Sequence, residues 1–233
     1  MQHITNKTIL VLGAHPDDEI IGCGGTIRHL SERNKVVVVT VTTGNTSANS
    51  SDKMEETVIQ RSIESDKAAS ILNVDEQISL GYHSQTLNPY DVSLHHDLIR
   101  MIRKIHPDIV LTHYDDYHKD HKALHELVPR SVLQASEEIM VEELGDSHMT
   151  SMVLFYEILK PLPSFNFIFD ITDTFKYKKE ALYSQTSQDR KDGFLISLQQ
   201  MIEGRALEKG AIIQKKYGEA FRLCDDVLCR LFP

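Results

Sequence analysis

Short apolar runs alternate with amphipathic stretches along most of the chain. Residues 8–12 are apolar, and residues 35–42 read KVVVVTVT. The second run is nearly all β-branched, as a central strand covered on both faces requires. Residues 108–112, DIVLT, form a third buried run, and residues 78–80 a weaker one. Residues 152–159 and 167–171 are also strand-like. Between these runs the apolar positions recur at helical spacing. Residues 22–32 carry Ile27 and Leu30, and residues 55–72 carry Val58, Ile63, Ala68, Ala69 and Leu72. Residues 94–105 read as a helix stopped by His106 and Pro107. Residues 121–139 read as another, which Pro129 must start, kink or break. Two more helices are expected over 175–184 and 194–208.

The order β-α-β-α-β-α-β-α-β-β-α-α predicts an α/β fold, with a mostly parallel sheet and helices on both faces. Sites in such folds gather outside the carboxyl ends of the strands. Two polar, histidine-rich stretches, AHPDDE and HYDDYHKDH, each follow an apolar strand. They are expected to meet at that edge. No repeat, low-complexity tract or linker divides the chain, so residues 1–233 are expected to form a single domain.

Composition narrows the function. A net charge of -9 and the lack of a basic run argue against nucleic acid as a partner. No apolar stretch of about 18 residues is present, so no transmembrane segment is expected. The start, MQHITNK, has no apolar core of a secretory signal. Cys23, Cys224 and Cys229 form no disulfide framework and read as reduced thiols of a cytoplasmic protein. The oligomeric state stays open, a homo-oligomer included.

Chemistry concentrates in the two polar stretches. Asp17 and Asp18 are adjacent carboxylates, which repel unless a proton or cation relieves them. A divalent metal does so, and His15 with Asp18 offers ligands that suit zinc. Pro16 stiffens the turn between them. The same HPDD segment also reads as a helix N-cap, with aspartates on free backbone N–H groups. Gly22, Gly24 and Gly25 allow close backbone approach, but their spacing is not that of a dinucleotide fingerprint. Cys23 reads as a small apolar packing residue.

In the second stretch His118 and His121 are three apart and can face one cavity. His121 makes a third ligand beside His15 and Asp18, giving a site with an open position for water. Zinc would bring that water's pKa toward about 7. Asp17 can take its proton. A protonated His118 can stabilise an oxyanion and serve the leaving amine, with Asp120 or Asp116 orienting it and raising its pKa. His113 can stand behind a ligand. His125 reads as a partly exposed helix histidine. Tyr114 and Tyr117 can line the pocket mouth or stack on a sugar ring. The loop 43–52 offers hydroxyls and amides to a sugar, or is only a linker.

AHPDDEIIGCGGT, followed downstream by PDIVLTHYDDYHKDH, resembles the PIG-L/LmbE-like zinc deacetylases. The resemblance is close over residues 7–125 and looser beyond. It implies a three-layer Rossmann-like fold and one zinc ion per chain, with other divalent ions not excluded. It implies His15, Asp18 and His121 as metal ligands and Asp17 as general base. By the same resemblance His118 stabilises the tetrahedral intermediate and Asp120 supports it. Arg61 resembles an arginine that contacts the sugar in some members, though a solvent-facing arginine paired with Glu64 or Ser65 is as good a reading. The family often has HPDH where this chain has HKDH, with Lys119 in place of proline. Tyr183 and Glu219, in the closing segments, read as structural before functional. The expected activity is release of acetate from an N-acetylated amino sugar or sugar conjugate. An amidase acting on a larger acyl group is the nearest rival, and a catalytically silent metal- or sugar-binding protein a more distant one.

Overall fold

The structure is a computed structural model, and it describes residues 4–47, 50–188 and 197–225. Seven strands form one sheet: β1 (Thr8–Gly13), β2 (Lys35–Thr42), β3 (Glu76–Tyr82), β4 (Ile109–His113), β5 (Met152–Tyr156), β6 (Phe167–Asp170) and β7 (Gly218–Leu223). Their order across the sheet is β3-β2-β1-β4-β5-β7-β6. β1 to β5 run parallel. β7 is antiparallel to both β5 and β6. The helices are α1 (Asp18–Leu30), α2 (Met54–Leu72), α3 (Val92–Ile105), α4 (Lys119–Ala135), α5 (Val141–Leu144), α6 (Phe175–Tyr183) and α7 (Leu198–Ile212).

Each sheet face carries its own apolar core. Alternate residues of β1, β2 and β4 (Ile9, Val11, Val36, Val38, Ile109, Leu111) join Ile20 and Ile27 of α1 and Leu182 of α6. The intervening residues (Leu10, Leu12, Val37, Val39, Val110) join Leu98 and Ile102 of α3 and Leu124 and Val128 of α4. This is the expected three-layer arrangement, produced by a period-2 strand whose two faces are both apolar. β1 hands the chain to α1 on one face, and β4 hands it to α4 on the other. Strand order therefore reverses between β1 and β4, the place where open α/β sheets form their crevice.

Two expectations need correction, and one strand was not predicted. Helix α1 starts at Asp18, not at residue 22, so Asp18 and Glu19 lie in its first turn. The glycines of this segment allow close packing, since a Cβ on Gly22 would stand 2.2 Å from the Tyr156 ring, and the helix kinks at Cys23 between them. Pro129 sits inside α4 without breaking it. Pro lacks only one helical N–H, and the buried neighbours Val128 and Val132 hold the segment in place. The segment at 217–223 contains strand β7, which inserts between β5 and β6. Its glycine and glutamate masked it as a strand. Residues 194–196 of the expected last helix, and Cys229, lie outside the described residues.

Candidate active site

The AHPDDE turn leaves the carboxyl end of β1 and HYDDYHKDH leaves that of β4, in adjacent strands. A buried histidine locks the first turn. Ala14 N–H donates to His113 Nε2 at 2.8 Å, continuing the β1–β4 contact through a side chain. Full burial pushes the His113 imidazole down to about 3, so it is neutral and that nitrogen is an acceptor. Thr42 and Ser84 fasten the neighbouring loops. Thr42 Oγ1 donates to Ala14 O at 2.7 Å and lies 3.0 Å from Ser84 Oγ. Asn45, in the loop expected to serve a sugar, is itself buried and accepts the Ser84 N–H at 2.8 Å.

Three side chains converge. His15 Nδ1 lies 3.2 Å from His121 Nε2. Asp18 presents Oδ2 to His15 Nδ1 at 3.4 Å and Oδ1 to His121 Nε2 at 3.3 Å. Zinc–ligand bonds of about 2.0–2.1 Å in a tetrahedron put neighbouring ligand atoms about 3.3 Å apart. All three contacts lie near that figure, with Asp18 offering a different oxygen to each histidine. Two imidazole nitrogens this close repel through their lone pairs unless a proton or a metal stands between them. Burial opposes charge on these rings, yet Asp18 raises His15 to about 9 and His121 to about 10. A metal would replace those protons. Burial also works against ionised Asp18, but His121, His113 and His15 hold its carboxyl well below the usual range.

His118 lies beside this set, with nitrogen atoms of His15, His118 and His121 all within 4.8 Å. The same holds for donor atoms of Asp18, His113 and His121, but His113 Nε2 already accepts the Ala14 N–H. Asp120 N–H donates to His118 Nδ1 at 3.2 Å, leaving Nε2 as the donor of the neutral ring. Burial and the neighbouring His15 and His121 hold His118 below its ordinary pKa, where an upward shift was expected. The Asp120 carboxylate is 3.9 Å from His118 but 3.0 Å from His15 Nε2. Asp116 Oδ2 stands 3.3 Å from His121 Nδ1. Neither carboxylate therefore takes His118 as its nearest histidine.

Asp17 is buried at the start of α1 and its side chain caps no backbone N–H. Its φ of 134° is rare for a residue with a side chain, a strained setting of the kind concentrated at functional sites. Asp17 holds the N-cap position but its side chain caps no helix N–H, and Asp18 Oδ2 accepts the His15 N–H at 2.7 Å instead of one in the helix. Burial raises the Asp17 carboxyl to about 6, with Arg61 opposing the rise. Arg61 is not solvent-facing. It is 3% exposed, its Nη2 lies 3.1 Å from Asp17 Oδ2, and it donates to Pro16 O. Gly44, at φ +69°, lies against the guanidinium so closely that a Cβ there would stand 2.6 Å from Arg61 Nη1. Glu19 is also buried and raised to about 8 by that burial.

Tyr114 does not reach this cluster. It follows His113 in an extended segment, so its side chain turns to the opposite face. There it packs on Phe155 and His125 and lines a separate cleft of about 460 Å³. Tyr117 is 74% exposed just ahead of α4. The sequence reading set His113 behind a ligand but did not foresee it as acceptor for Ala14, and it missed the backbone of residues 85 and 87, which reaches Asp120 from the loop after β3. Nothing in the sequence marked that backbone.

Comparison with known proteins agrees with the geometry. The PIG-L family model, described as GlcNAc-PI de-N-acetylase, matches residues 10–132, just over half of the chain. The chain belongs to that family. It is 26% identical over 238 residues to diacetylchitobiose deacetylase of Thermococcus kodakarensis, covering 97% of this chain and 86% of that protein. It is 29% identical over 190 residues to a probable N-acetyl-α-D-glucosaminyl L-malate deacetylase 2 of Bacillus cereus, covering 78% of this chain and 84% of that one. The solved structure of N,N'-diacetylchitobiose deacetylase from Pyrococcus horikoshii, complexed with the inhibitor MPG, superposes with a TM-score of 0.83. The two are 28% identical, with 94% of this chain and 84% of that chain covered. The fold and the site thus define a deacetylase of the PIG-L class with a His/Asp cluster able to hold a metal ion.

Proposed function

We propose that this protein is a zinc-dependent hydrolase that removes the acetyl group from an acetamido sugar or sugar conjugate. The observation that carries the proposal is the convergence of His15 Nδ1, Asp18 and His121 Nε2 at 3.2–3.4 Å beside the buried Asp17 carboxylate, which pairs with Arg61. Two imidazoles and one carboxylate form the ligand set of a catalytic zinc site rather than a closed structural one. A bound zinc ion supplies a polarising charge for the amide carbonyl and acidifies a nearby water.

The chain's own groups do the rest. Asp17, held in place by Arg61, accepts a proton from the attacking water. His118 turns its Nε2–H toward the oxygen that gains charge as the carbonyl becomes tetrahedral. The C–N bond then breaks as the nitrogen takes up the proton held by Asp17, and acetate and a primary amine remain. Arg61 acts here behind Asp17, and Tyr117, exposed just ahead of α4, is the aromatic side chain we assign to a sugar ring. A small neutral glycoside of N-acetylglucosamine type is the first choice of substrate and a nucleotide-linked acetamido sugar the second, since the chain has no basic cluster for a diphosphate. The names of the two deacetylase relatives support the sugar class. We take the chain as one catalytic domain acting in the cytoplasm; no helix among the described residues is long and apolar enough to cross a membrane.

Incubation of zinc-loaded protein with N-acetylglucosamine glycosides should yield acetate and primary amine in equal amounts. If active protein ignores every acetamido sugar yet opens a larger acyl amide, the amidase reading replaces this one.

A further inference from the structure

The second polar motif carries more buried carboxylate than the reaction uses. Asp116 and Asp120 are 1% and 0% exposed. Buried carboxylates are costly unless paired and hydrogen-bonded. Each meets that need in two directions at once.

Asp120 faces His15. Its Oδ2 lies 3.0 Å from His15 Nε2 and accepts the Gln85 N–H at 2.6 Å, while Oδ1 accepts the Leu87 N–H at 3.2 Å. Asp116 faces His121. Its Oδ2 stands 3.3 Å from His121 Nδ1 and accepts the Leu159 N–H at 2.8 Å. Its Oδ1 accepts the N–H of Tyr117. The Asp116–His121 approach is close but poorly aligned for a hydrogen bond, and His121 Nδ1 has no other partner among the described residues. Backbone donors thus fix both carboxylates from loops that follow β3 and β5, on opposite sides of the crevice.

The consequence is a tautomer for each ring. A histidine that gives one N–H to a carboxylate turns the lone pair of its other nitrogen outward. His15 gives Nε2–H to Asp120 and is left with Nδ1. His121 points Nδ1 at Asp116 Oδ2, its nearest acceptor at 3.3 Å, and is left with Nε2. Those are the two nitrogens that face each other at 3.2 Å.

We propose that Asp120 and Asp116 are positioning residues of the metal site, Asp120 selecting Nδ1 of His15 and Asp116 selecting Nε2 of His121. This departs from the support of His118 that the family resemblance implied for Asp120. The inference rests on the metal-site reading above and adds which nitrogen binds and what enforces it.

Imidazole ¹⁵N NMR of the zinc-loaded wild-type chain reads the tautomers without any substitution. It should show His15 ligating through Nδ1 with its proton on Nε2, and His121 the reverse. Chelator competition on the Asp120→Asn and Asp116→Asn variants reads the energetics, and circular dichroism checks that both are folded. Each should bind zinc about 10–100-fold more weakly than wild type. Asp115→Asn, at the half-exposed ion pair with Lys160, should bind zinc as wild type does. Ligation of His15 through Nε2 would overturn the proposal. So would an Asp120→Asn variant that keeps wild-type zinc affinity and loses turnover, since Asp120 would then act on His118. Wild-type protein that takes up no zinc removes the metal-site reading as well, so the two failures are distinguishable.

Discussion

Two buried charge clusters touch helix α1, and they are built on opposite logic. One lies at its mid-point. There Cys23 departs from helical geometry, at φ -146° and ψ 21°, and frees the N–H groups that follow. Glu219 of β7 accepts those of Gly25 and Thr26 at 3.1 and 2.7 Å. Lys178 of α6 pairs with Glu219 and donates to Ile21 O at 2.9 Å. Donors and acceptors there answer one another, and the cluster closes on itself. The other lies at the N-terminal end of α1. There His15, Asp18 and His121 converge so closely that only protons or a cation can stand between them. Burial and charge are common to both clusters; the difference is saturation. A saturated cluster splices secondary structure, whereas an unsaturated one of metal-ligand chemistry awaits a cation.

That contrast yields graded expectations. Asp18→Ala removes a converging ligand and should abolish both stoichiometric metal uptake and turnover. Elemental analysis with an acetate assay checks this, and full metal occupancy in the variant would break the ligand assignment. Asp17→Asn should keep the metal and lose about 10²–10⁴-fold in kcat, because an amide cannot accept the proton. Turnover near the wild-type level would remove Asp17 as base.

Glu219→Ala tests the saturated cluster. It strands a buried ammonium and should cost about 3–5 kcal/mol of stability, read by denaturant unfolding, with metal stoichiometry unchanged. A variant that is as stable as wild type but loses its metal would erase the distinction between the clusters.

The smallest effect concerns pH. As the proposed base, Asp17 must be ionised, so kcat/KM should fall as pH drops through its pKa. Burial lifts that value to about 6 and Arg61 restrains it. Arg61→Gln should therefore move the acidic limb to higher pH, by about one unit. A limb that stays in place would separate Arg61 from the base.

Much of this contrast was legible in the chain. AHPDDE and HYDDYHKDH follow apolar strands, and ligand types at strand ends point to a crevice site before any coordinates are known. The partners of the outer carboxylates were not legible. Asp120 meets His15 across 105 positions of sequence, and that contact exists only because β1 and β4 are neighbours in the sheet. The position of Tyr114 was recoverable, because the residue after His113 in an extended segment must face away from it. The saturated cluster stayed hidden for a third reason. Glu219 lies in a strand that its own glycine and charge disguised, and its donors arise from a kink that packing imposes on α1.

The central claim is that one metal ion, held by His15, Asp18 and His121, makes this chain a deacetylase. Titration of metal-stripped protein with zinc, with acetate release followed at each addition, tests it most directly. Turnover should start near zero, rise in proportion to added zinc, and level off at about one ion per chain. Full turnover in the stripped protein, with no response to zinc, would contradict the claim.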